Sequence, residues 1–503
     1  MRRLLWALLI WASPAAWVLA GNPSTQPATT PSLSSPALWA QRFTSEGNSA
    51  TDPQFLARLA LARLSSGDRT AARALLARAE SLANKMPDAR QQCEAYLSLA
   101  GALARLGDAG GYQRTIAAAM RYPDRAADAV TRATLYDFIA AQQASVLDGD
   151  GWQATVNKMA DSRFRASACI GAGRRLLGTS DPKQYLGAAN LAEQAIAGVP
   201  DPLHASSLLR DIVELHAQGR NFPAAYRVAS SIKDNTWKAM AYLAIAAQQA
   251  AAGDAAAAAN TIAQARAVPV EKMSWGEIGF LTLLARTEAG IGNAAGASQS
   301  LGAAHELADA YTSGRRKAAA HVDLAATQLR LGMKTAAMEN IKSAEAARST
   351  TAPTQPMQLD PLPQAYCGLA LAYAAAGDLA AARTTANAIA QLDLRRLAYG
   401  SMVSELAGAN RCEEAASLLG EVGNGAVRRQ AVLAIAAAFA RTGKFAALSQ
   451  WVDSLANGAE RADAAVEVVL TLAPPALVAI ASTQPSTRPT SRPVNRPTTA
   501  PAI

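Results

Sequence analysis

Apolar and small residues recur at helical spacing through most of the chain, in pairs of segments joined by a glycine-containing turn. Eleven, eight and seven residues before the turn glycine stand a large apolar residue, a leucine or isoleucine, and a small residue. Steps of three and one place all three on one face of a helix. The pattern therefore predicts a helix that ends at the glycine. Examples are Tyr96, Leu99 and Ala100; Tyr242, Ile245 and Ala246; Tyr366, Leu369 and Ala370; and Val432, Ile435 and Ala436.

A second helix is predicted after each turn. A small residue, an aliphatic residue and another small residue stand five, nine and twelve positions after the glycine, as in Ala72, Leu76 and Ala79. Glycine adopts turn conformations at little steric cost, and an aspartate directly after it suits the N-cap of the second helix. Each pair of helices then buries its apolar stripes within the pair and against the next one. Aspartates follow the glycine at Asp68, Asp108, Asp254 and Asp378.

The turns are about 40 residues apart, which is typical of a repeat architecture. The step from Gly67 to Gly107 is 40 residues, and the step from Gly253 to Gly292 is 39. A chain of 503 residues is longer than one compact core usually holds, whereas each repeat only has to cover its neighbours. The sequence therefore predicts an all-α fold, an α-solenoid or superhelix of about 11 antiparallel helical hairpins. The remaining turns are placed at Gly149, Gly178, Gly219, Gly332, Gly377, Gly443 and near Asn410.

The order of large and small positions resembles the tetratricopeptide repeat (TPR), most clearly from Tyr242 through Gly253-Asp254 to Ala265. The resemblance covers roughly residues 52–473. Many units exceed the typical ~34 residues, and the usual Trp and most terminal prolines are missing, so HEAT-like repeats are an alternative for the weaker units. The resemblance implies a right-handed superhelix whose first helices line a concave, partner-binding face.

By the same resemblance, the concave face combines an apolar groove with an arginine edge. Such a groove fits an extended or helical protein segment with acidic flanks. Solvated arginines favoured by the helix dipole are the alternative. The Lys/Asn set that clamps a C-terminal carboxylate in chaperone-binding members is absent. The groove residues are Leu97, Ala104, Leu243, Ala247, Val322, Ala326, Leu433 and Ala437, and the candidate partner-binding arginines are Arg105, Arg174, Arg175, Arg286, Arg330 and Arg441.

Composition divides the chain into six segments. Ser, Thr and Pro-rich stretches cannot bury enough apolar area to offset the cost of ordering. We therefore predict disorder at both ends and a long loop inside the solenoid. The predicted segments are a signal peptide at 1–20, a disordered segment at 21–51, the first part of the solenoid at 52–347, a Pro-rich inter-repeat loop at 348–363, the second part at 364–473, and a disordered tail at 474–503.

The N-terminus has the layout of a secretory signal peptide. Arg2 and Arg3 precede an apolar stretch, and Val18-Leu19-Ala20 before Gly21 is a small-residue cleavage site. An uncleaved membrane anchor is the alternative, although the span is short and contains Pro14. We therefore expect an exported bacterial protein, periplasmic or secreted.

The net charge bears on the possible partners, and the cysteines bear on disulfide bonding. The formal net charge of +9 falls to +7 when the leader is removed, too little to indicate nucleic acid as a partner. The four cysteines are far apart and form no C-x-x-C motif. We interpret Cys93, Cys169 and Cys367 as packing residues, with a Cys367–Cys412 bridge as an alternative.

No catalytic or metal motif is complete in the sequence. His305-Glu306 begins like H-E-x-x-H, but the second ligand position is Asp309. Asp148-Gly149-Asp150-Gly151 hints at a calcium loop without its third acidic ligand, so a turn between helices is the better interpretation. His321 stands at an apolar packing position, which predicts a core residue.

The sequence thus predicts a scaffold or adaptor that is not an enzyme, needs no cofactor, and binds a protein or peptide partner in the cell envelope. The alternatives are an enzyme-associated, peptidoglycan-related accessory protein and a structural spacer. The sequence names no partner and gives no oligomeric state.

Overall fold

A computed structural model describes residues 36, 39, 51–178, 184–270, 275–349, 362–423 and 425–475. The regular elements within these residues are helical, so the all-α solenoid is confirmed. Eleven hairpins and one further helix follow one another. They are α1 (Pro53–Ser65) and α2 (Arg69–Ala83), α3 (Ala89–Leu106) and α4 (Ala109–Ala119), α5 (Ala129–Ser145) and α6 (Gly149–Asn157), α7 (Ser162–Leu177) and α8 (Tyr185–Ile196), α9 (Pro202–Gln218) and α10 (Phe222–Ser231), α11 (Asn235–Ala251) and α12 (Ala255–Ala267), α13 (Trp275–Gly290) and α14 (Ala294–Ala310), α15 (Gly314–Arg330) and α16 (Lys334–Ser349), α17 (Leu362–Ala376) and α18 (Leu379–Asn387), α19 (Leu392–Gly408) and α20 (Cys412–Ser417), α21 (Ala426–Thr442) and α22 (Phe445–Ser454), and α23 (Gly458–Leu472).

The predicted signal peptide lies outside the described residues, as do most of segments 21–51, 348–363 and 474–503. Within segment 21–51, Pro36 and Trp39 are helical, and Trp39 is 1% exposed. Helix α16 reaches Ser349 and α17 begins at Leu362, so both helices extend into the segment predicted as a loop. Among the described helices, none is long and apolar enough to cross a membrane.

Helix starts and turns follow the local chemistry that the sequence indicates. The carboxylate of Asp68 accepts a hydrogen bond from the backbone N–H of Ala71 at 2.9 Å, which satisfies a donor that the helix itself leaves unpaired. The carboxylates of Asp108, Asp254 and Asp378 cap their helices in the same way. Left-handed backbone conformations mark the turns at Gly67, Gly107, Gly253, Gly292, Gly332, Gly377 and Gly443.

Three predicted turns differ in detail. Near Gly149 the left-handed residue is Leu147 (φ 61°), and near Gly219 it is Arg220 (φ 56°). Gly178 has φ −79°, outside the left-handed region. At the first two turns, hairpin hydrogen bonds hold Leu147 and Arg220 in the left-handed region, which a non-glycine residue adopts at a cost. Asn410, near which the sequence predicts a turn, is also left-handed (φ 60°).

The predicted stripes are buried for the most part, although Tyr242 and Tyr366 are half-buried. Leu99 and Ala100, like Ile435 and Ala436, are at most 1% exposed. The second-helix positions Ala72, Leu76 and Ala79 are also buried. His321 is a core residue, as predicted, with a relative exposure of 0%. The four cysteines are free, which excludes the Cys367–Cys412 bridge, and burial raises the pKa of the Cys93 and Cys169 thiols to about 12.

The two ends of the solenoid meet. We call the first helix of each hairpin, together with α23, the inner helices; each packs against the next inner helix, and α23 packs against α1. Arg58 on α1 binds Asp463 at 2.6 Å and Glu467 at 2.7 Å, both on α23. Arg429 on α21 binds Asp463 at 2.8 Å and Asp52 at 2.9 Å. One apolar cluster contains residues of both ends. The repeat therefore forms a closed ring of twelve described inner helices, and we call the contact between α23 and α1 the seam.

Candidate functional site

The predicted apolar groove is largely absent as an accessible surface. Leu97, Leu243 and Val322 are buried between helices, and so are Ala104, Ala326 and Ala437. Only Ala247 and Leu433 of the predicted set are half-buried. The groove prediction was wrong because tight contact between successive inner helices covers these positions.

All six candidate arginines lie on inner helices, and we call the face of these helices that lines the ring the inner surface. Burial by surrounding protein lowers the pKa of the Arg286 guanidinium, although the residue is solvent-exposed. Burial also lowers the pKa of Arg330, which is exposed in the same way, and of Arg105, which is half-buried.

Four of the six arginines already have partners in the fold. Arg105 donates to the carbonyl of Gly101 at 3.3 Å, and Arg441 donates to the carbonyl of Ala407, on the preceding inner helix, at 3.1 Å. Because this carbonyl lies in the last turn of α19, the arginine there has the helix-terminus role that the sequence left as an alternative.

Arg174 and Arg175 lie in the last turn of α7. The Arg174 guanidinium lies 3.5 Å from the Glu214 carboxylate and 3.9 Å from that of Asp211. Arg175 donates to the carbonyl of Gly171 at 3.3 Å, and its charge favours the ionised form of Asp137. These two arginines therefore bind acidic and carbonyl groups of the same chain.

Arg286 and Arg330 are different. Neither makes a hydrogen bond or an ion pair with another residue in the part of the chain that the structure describes. They lie near each other: after burial, the charge of Arg286 is the next cause that lowers the pKa of Arg330. Glu405 and Asp323 act in the opposite direction on Arg330. Two guanidinium groups that repel each other and lack partners form a ready site for an anion.

Asp323 is a residue that the sequence analysis missed. It lies on α15, nine residues before Gly332, and burial raises the pKa of its carboxyl to about 7, with Arg330 partly opposing the shift. Burial likewise raises the pKa of Asp137 on α5. The sequence signal that could have identified both aspartates is an acidic residue about ten positions before a turn. Other repeats have small or apolar residues there.

One motif that the sequence singled out, Asp148-Gly149-Asp150-Gly151, has a structural role. The Asp148 carboxylate caps α6 by accepting from the N–H of Gly151 at 3.0 Å, and it also accepts from the Tyr112 hydroxyl at 2.7 Å. The interpretation as a turn is therefore confirmed. Among the described residues, no group of three His, Cys, Asp or Glu side chains is arranged as a ready metal site.

No protein-family model and no curated protein matches the chain. Solved helical-repeat structures match it at low identity. The hairpins, left-handed turns and buried stripes described above define the fold by themselves. The chain has a TPR-like helical-repeat fold. A TPR-like solenoid is typically a non-catalytic scaffold for protein interaction.

Three of the matching structures show the level of the likeness. They are Ton1535 from Thermococcus onnurineus NA1 (13% identity over 72% of this chain and 96% of that one, TM-score 0.25), the Cut9–Hcn1 hetero-tetramer of the APC/C (12%, 84% and 96%, TM-score 0.25) and the pentatricopeptide repeat protein PPR10 from maize (14%, 79% and 62%, TM-score 0.26).

Proposed function

We propose that this TPR-like protein is a non-catalytic scaffold that binds an acidic protein segment on the inner surface of its ring. The observation that carries the proposal is the pair Arg286 and Arg330, neighbouring, solvent-exposed and without a partner among the described residues. A carboxylate between them forms charge-assisted hydrogen bonds with both guanidinium groups and removes their mutual repulsion. An extended segment with acidic side chains fits a concave surface of this kind.

The neighbouring acidic groups give the site a pH response. Burial holds the pKa of Asp323 at about 7, and Arg330 is close enough to affect it. Below pH 7 the Asp323 carboxyl is protonated, so the net positive charge around Arg330 increases. The proposed site therefore binds an acidic segment more tightly at pH 6 than at pH 8.

The proposal includes export to the bacterial cell envelope and a partner there. Arg2, Arg3 and the cleavage site before Gly21 support this part. The closed ring weighs against the alternative of a structural spacer, because a spacer gains reach from open ends, and here Arg58 and Asp463 join them.

Fluorescence anisotropy tests the binding site. The probe is a labelled Glu-rich peptide, titrated with residues 21–503 of the wild type and of Arg286→Glu/Arg330→Glu. We expect the double variant to lose about 10- to 100-fold in affinity, since a hydrogen bond to a charged group contributes about 1.5–3 kcal/mol. A Lys-rich peptide should not bind the wild type.

The matched control is Arg73→Glu/Arg114→Glu, which changes two exposed arginines on the outer helices α2 and α4 by the same total charge. The control should bind the Glu-rich peptide like the wild type, apart from a small long-range effect that salt removes. Equal losses in both double variants would show general charge attraction and contradict the site.

Cell fractionation tests export. The full chain, expressed in a bacterium with two membranes, should appear in the periplasm with Gly21 as its N-terminal residue by mass spectrometry. A chain that starts at residue 21 should stay in the cytoplasm. Recovery of intact protein in the membrane fraction would show an anchor, and recovery of the full chain in the cytoplasm would contradict export.

A further inference from the structure

The last inner helix, α23, is buried on the side where the other inner helices contact their outer helix. Its stripe stands eight, eleven and twelve residues after the N-cap Asn457, which is the spacing of the α11 stripe after its N-cap Asp234. In α11 the third stripe residue, Ala246, shares an apolar cluster with residues of the outer helix α12. No outer helix follows α23 among the described residues. The α23 stripe residues are nevertheless at most 1% exposed, and they are Ala465, Val468 and Val469.

Trp39 is a buried residue that has no assigned role in the hairpins. It is helical and 1% exposed, and it belongs to the apolar cluster at the seam. The same cluster contains Val468 and Val469 of α23 and Leu56 of α1. A tryptophan side chain buries about 150–250 Å². The alanine and valines of the α23 stripe are small, so they leave room for a large aromatic side chain beside that helix.

Sequence spacing relates Trp39 to α1 as an outer-helix residue relates to the next inner helix. Trp39 stands 13 residues before Asp52, the N-cap of α1. Leu75, on the outer helix α2, likewise stands 13 residues before Asp88, the N-cap of α3. Leu75 packs against the apolar cluster that contains Trp39. Trp39 therefore occupies the place of an outer helix that precedes α1.

The order of the ring gives that place a second neighbour. An outer helix such as α2 packs against both inner helices beside it, α1 and α3. In the ring, the inner helix that precedes α1 is α23. The Arg429 guanidinium of α21 lies 2.9 Å from the Asp52 carboxylate, so the chain enters α1 beside the last inner helices. An outer-helix residue placed before α1 therefore contacts α23 as well.

We propose that Trp39 fills the outer-helix position of α23, so that the N-terminal part of the chain completes the last hairpin and holds the ring closed. At every other junction, the backbone runs from one inner helix through an outer helix to the next. The seam has no such covalent link, because side-chain contacts alone join α23 to α1. Trp39 and the ion pairs of Arg58 therefore control the junction at which the ring opens. This proposal does not depend on the acidic-segment site.

Photo-cross-linking locates the side chain in the mature chain, residues 21–503. Trp39→p-benzoylphenylalanine keeps an aromatic side chain, so the variant should fold. Irradiation should link position 39 to both α23 and α1, as mapped by mass spectrometry. The matched control is the same change at Trp152, a 2% exposed residue of α6 in a different apolar cluster, which should link to neither helix.

Two cross-linking results would overturn the proposal. Links from position 39 to α2 or α1 without any to α23 would place Trp39 inside the first hairpin. Links from position 39 to a second copy of the chain would make the contact intermolecular. Either result can be obtained even where a truncating change at Trp39 unfolds the chain.

Hydrogen exchange tests whether Trp39 holds the seam. Trp39→Ala removes a large buried group and leaves a cavity, so amides of α23 and α1 should exchange at least about 100-fold faster. Exchange in α11 to α14 should stay unchanged, because these helices belong to other apolar clusters. Trp152→Ala is the matched control and should speed exchange around α6 without changing α23.

The apolar residues that follow α23 in the sequence are the alternative cover for its stripe. Leu477→Ser/Ile480→Ser changes two of them, and exchange in α23 should then remain that of the wild type. Faster exchange of α23 in this double variant, together with wild-type exchange in Trp39→Ala, would assign the cover to the C-terminal segment and overturn the proposal.

Discussion

The middle hairpins and the last hairpin differ in one side-chain contact between their two helices. The contact joins the residue four before the turn glycine, on the first helix, to the residue eight after it, on the second helix. In the middle hairpins it is polar: Thr261 donates to Gln249 at 2.7 Å, and Ser300 donates to Glu288 at 2.7 Å. In the last hairpin it is aromatic, with the rings of Phe439 and Trp451 5.8 Å apart. The hairpin fixes which residues meet but leaves their chemistry open.

The two solutions connect the repeats differently. Both polar pairs also bond to the preceding outer helix: Thr261 bonds to Tyr226, and Glu288 bonds to Arg266. A third pair, Gln328 and Asn340, does the same through Asn340 and His305. The apolar core of this region is divided into separate clusters. Around the seam, one apolar cluster runs through both ends of the chain. Directional polar bonds thus link the middle repeats, while continuous apolar packing, with ion pairs at its edge, holds the seam.

The largest expected effect is at the aromatic pair. Phe439 is 2% exposed, so Phe439→Ala removes a large buried group and leaves a cavity. We expect the free energy of unfolding to fall by about 3–5 kcal/mol, measured by urea denaturation. The control Leu203→Ala, at a residue that is 56% exposed, should change it by less than about 0.5 kcal/mol. Equal effects would mean that the seam region does not depend on apolar packing.

The polar pair gives the next effect. Thr261→Val removes the donor to Gln249 Oε1, a group on a residue that is 5% exposed. Leaving that oxygen unpaired should cost about 1–3 kcal/mol of unfolding free energy. The double variant Gln249→Leu/Thr261→Val removes both polar groups and should cost clearly less than Thr261→Val alone. Additive losses in this double-mutant cycle would mean that the pair stabilises by packing, as Phe439 and Trp451 do.

A smaller effect is expected from the ion pairs at the seam. Arg58→Met keeps the apolar stem but removes the partner of Asp463 and Glu467, and should cost about 1 kcal/mol because these charges are partly exposed. Hydrogen exchange should become faster in α1 and α23 and stay unchanged in α11 to α16. Arg90→Met, at the exposed pair with Glu94, is the control and should alter neither region. Faster exchange throughout the ring would argue against a local seam.

The smallest expected effect is a pH-dependent change in Tm at Asp323, for which Asp463 is the comparison. Burial raises the pKa of Asp323 to about 7, above the value of about 3.9 in an unfolded chain. The unfolded state therefore loses this proton at lower pH, and stability falls as pH rises from about 4 to 7. Asp323→Asn should raise Tm by about 1–2 °C at pH 8 and by nothing below pH 4. Asp463→Asn, which loses two arginine partners, should instead lower Tm at pH 8.

The candidate site was only partly predictable. The sequence analysis named Arg286 and Arg330 only as two of six candidate arginines, all of which stand near the ends of first helices. It did not show that Arg174 pairs with Glu214, or that Arg441 binds a carbonyl of the preceding inner helix. These outcomes depend on the rotation between neighbouring hairpins, which side-chain spacing within one hairpin does not contain.

The sequence by itself determined the repeating unit. The stripe spacing, the turn glycines and the caps such as Asp68 are local, because they depend on residues within one hairpin. Only the tertiary structure decided that the chain closes into a ring. The physical reason is that ring curvature is the sum of small rotations between successive hairpins. Small differences in packing at each junction accumulate over eleven hairpins, so that Arg58 reaches Asp463, 405 residues away.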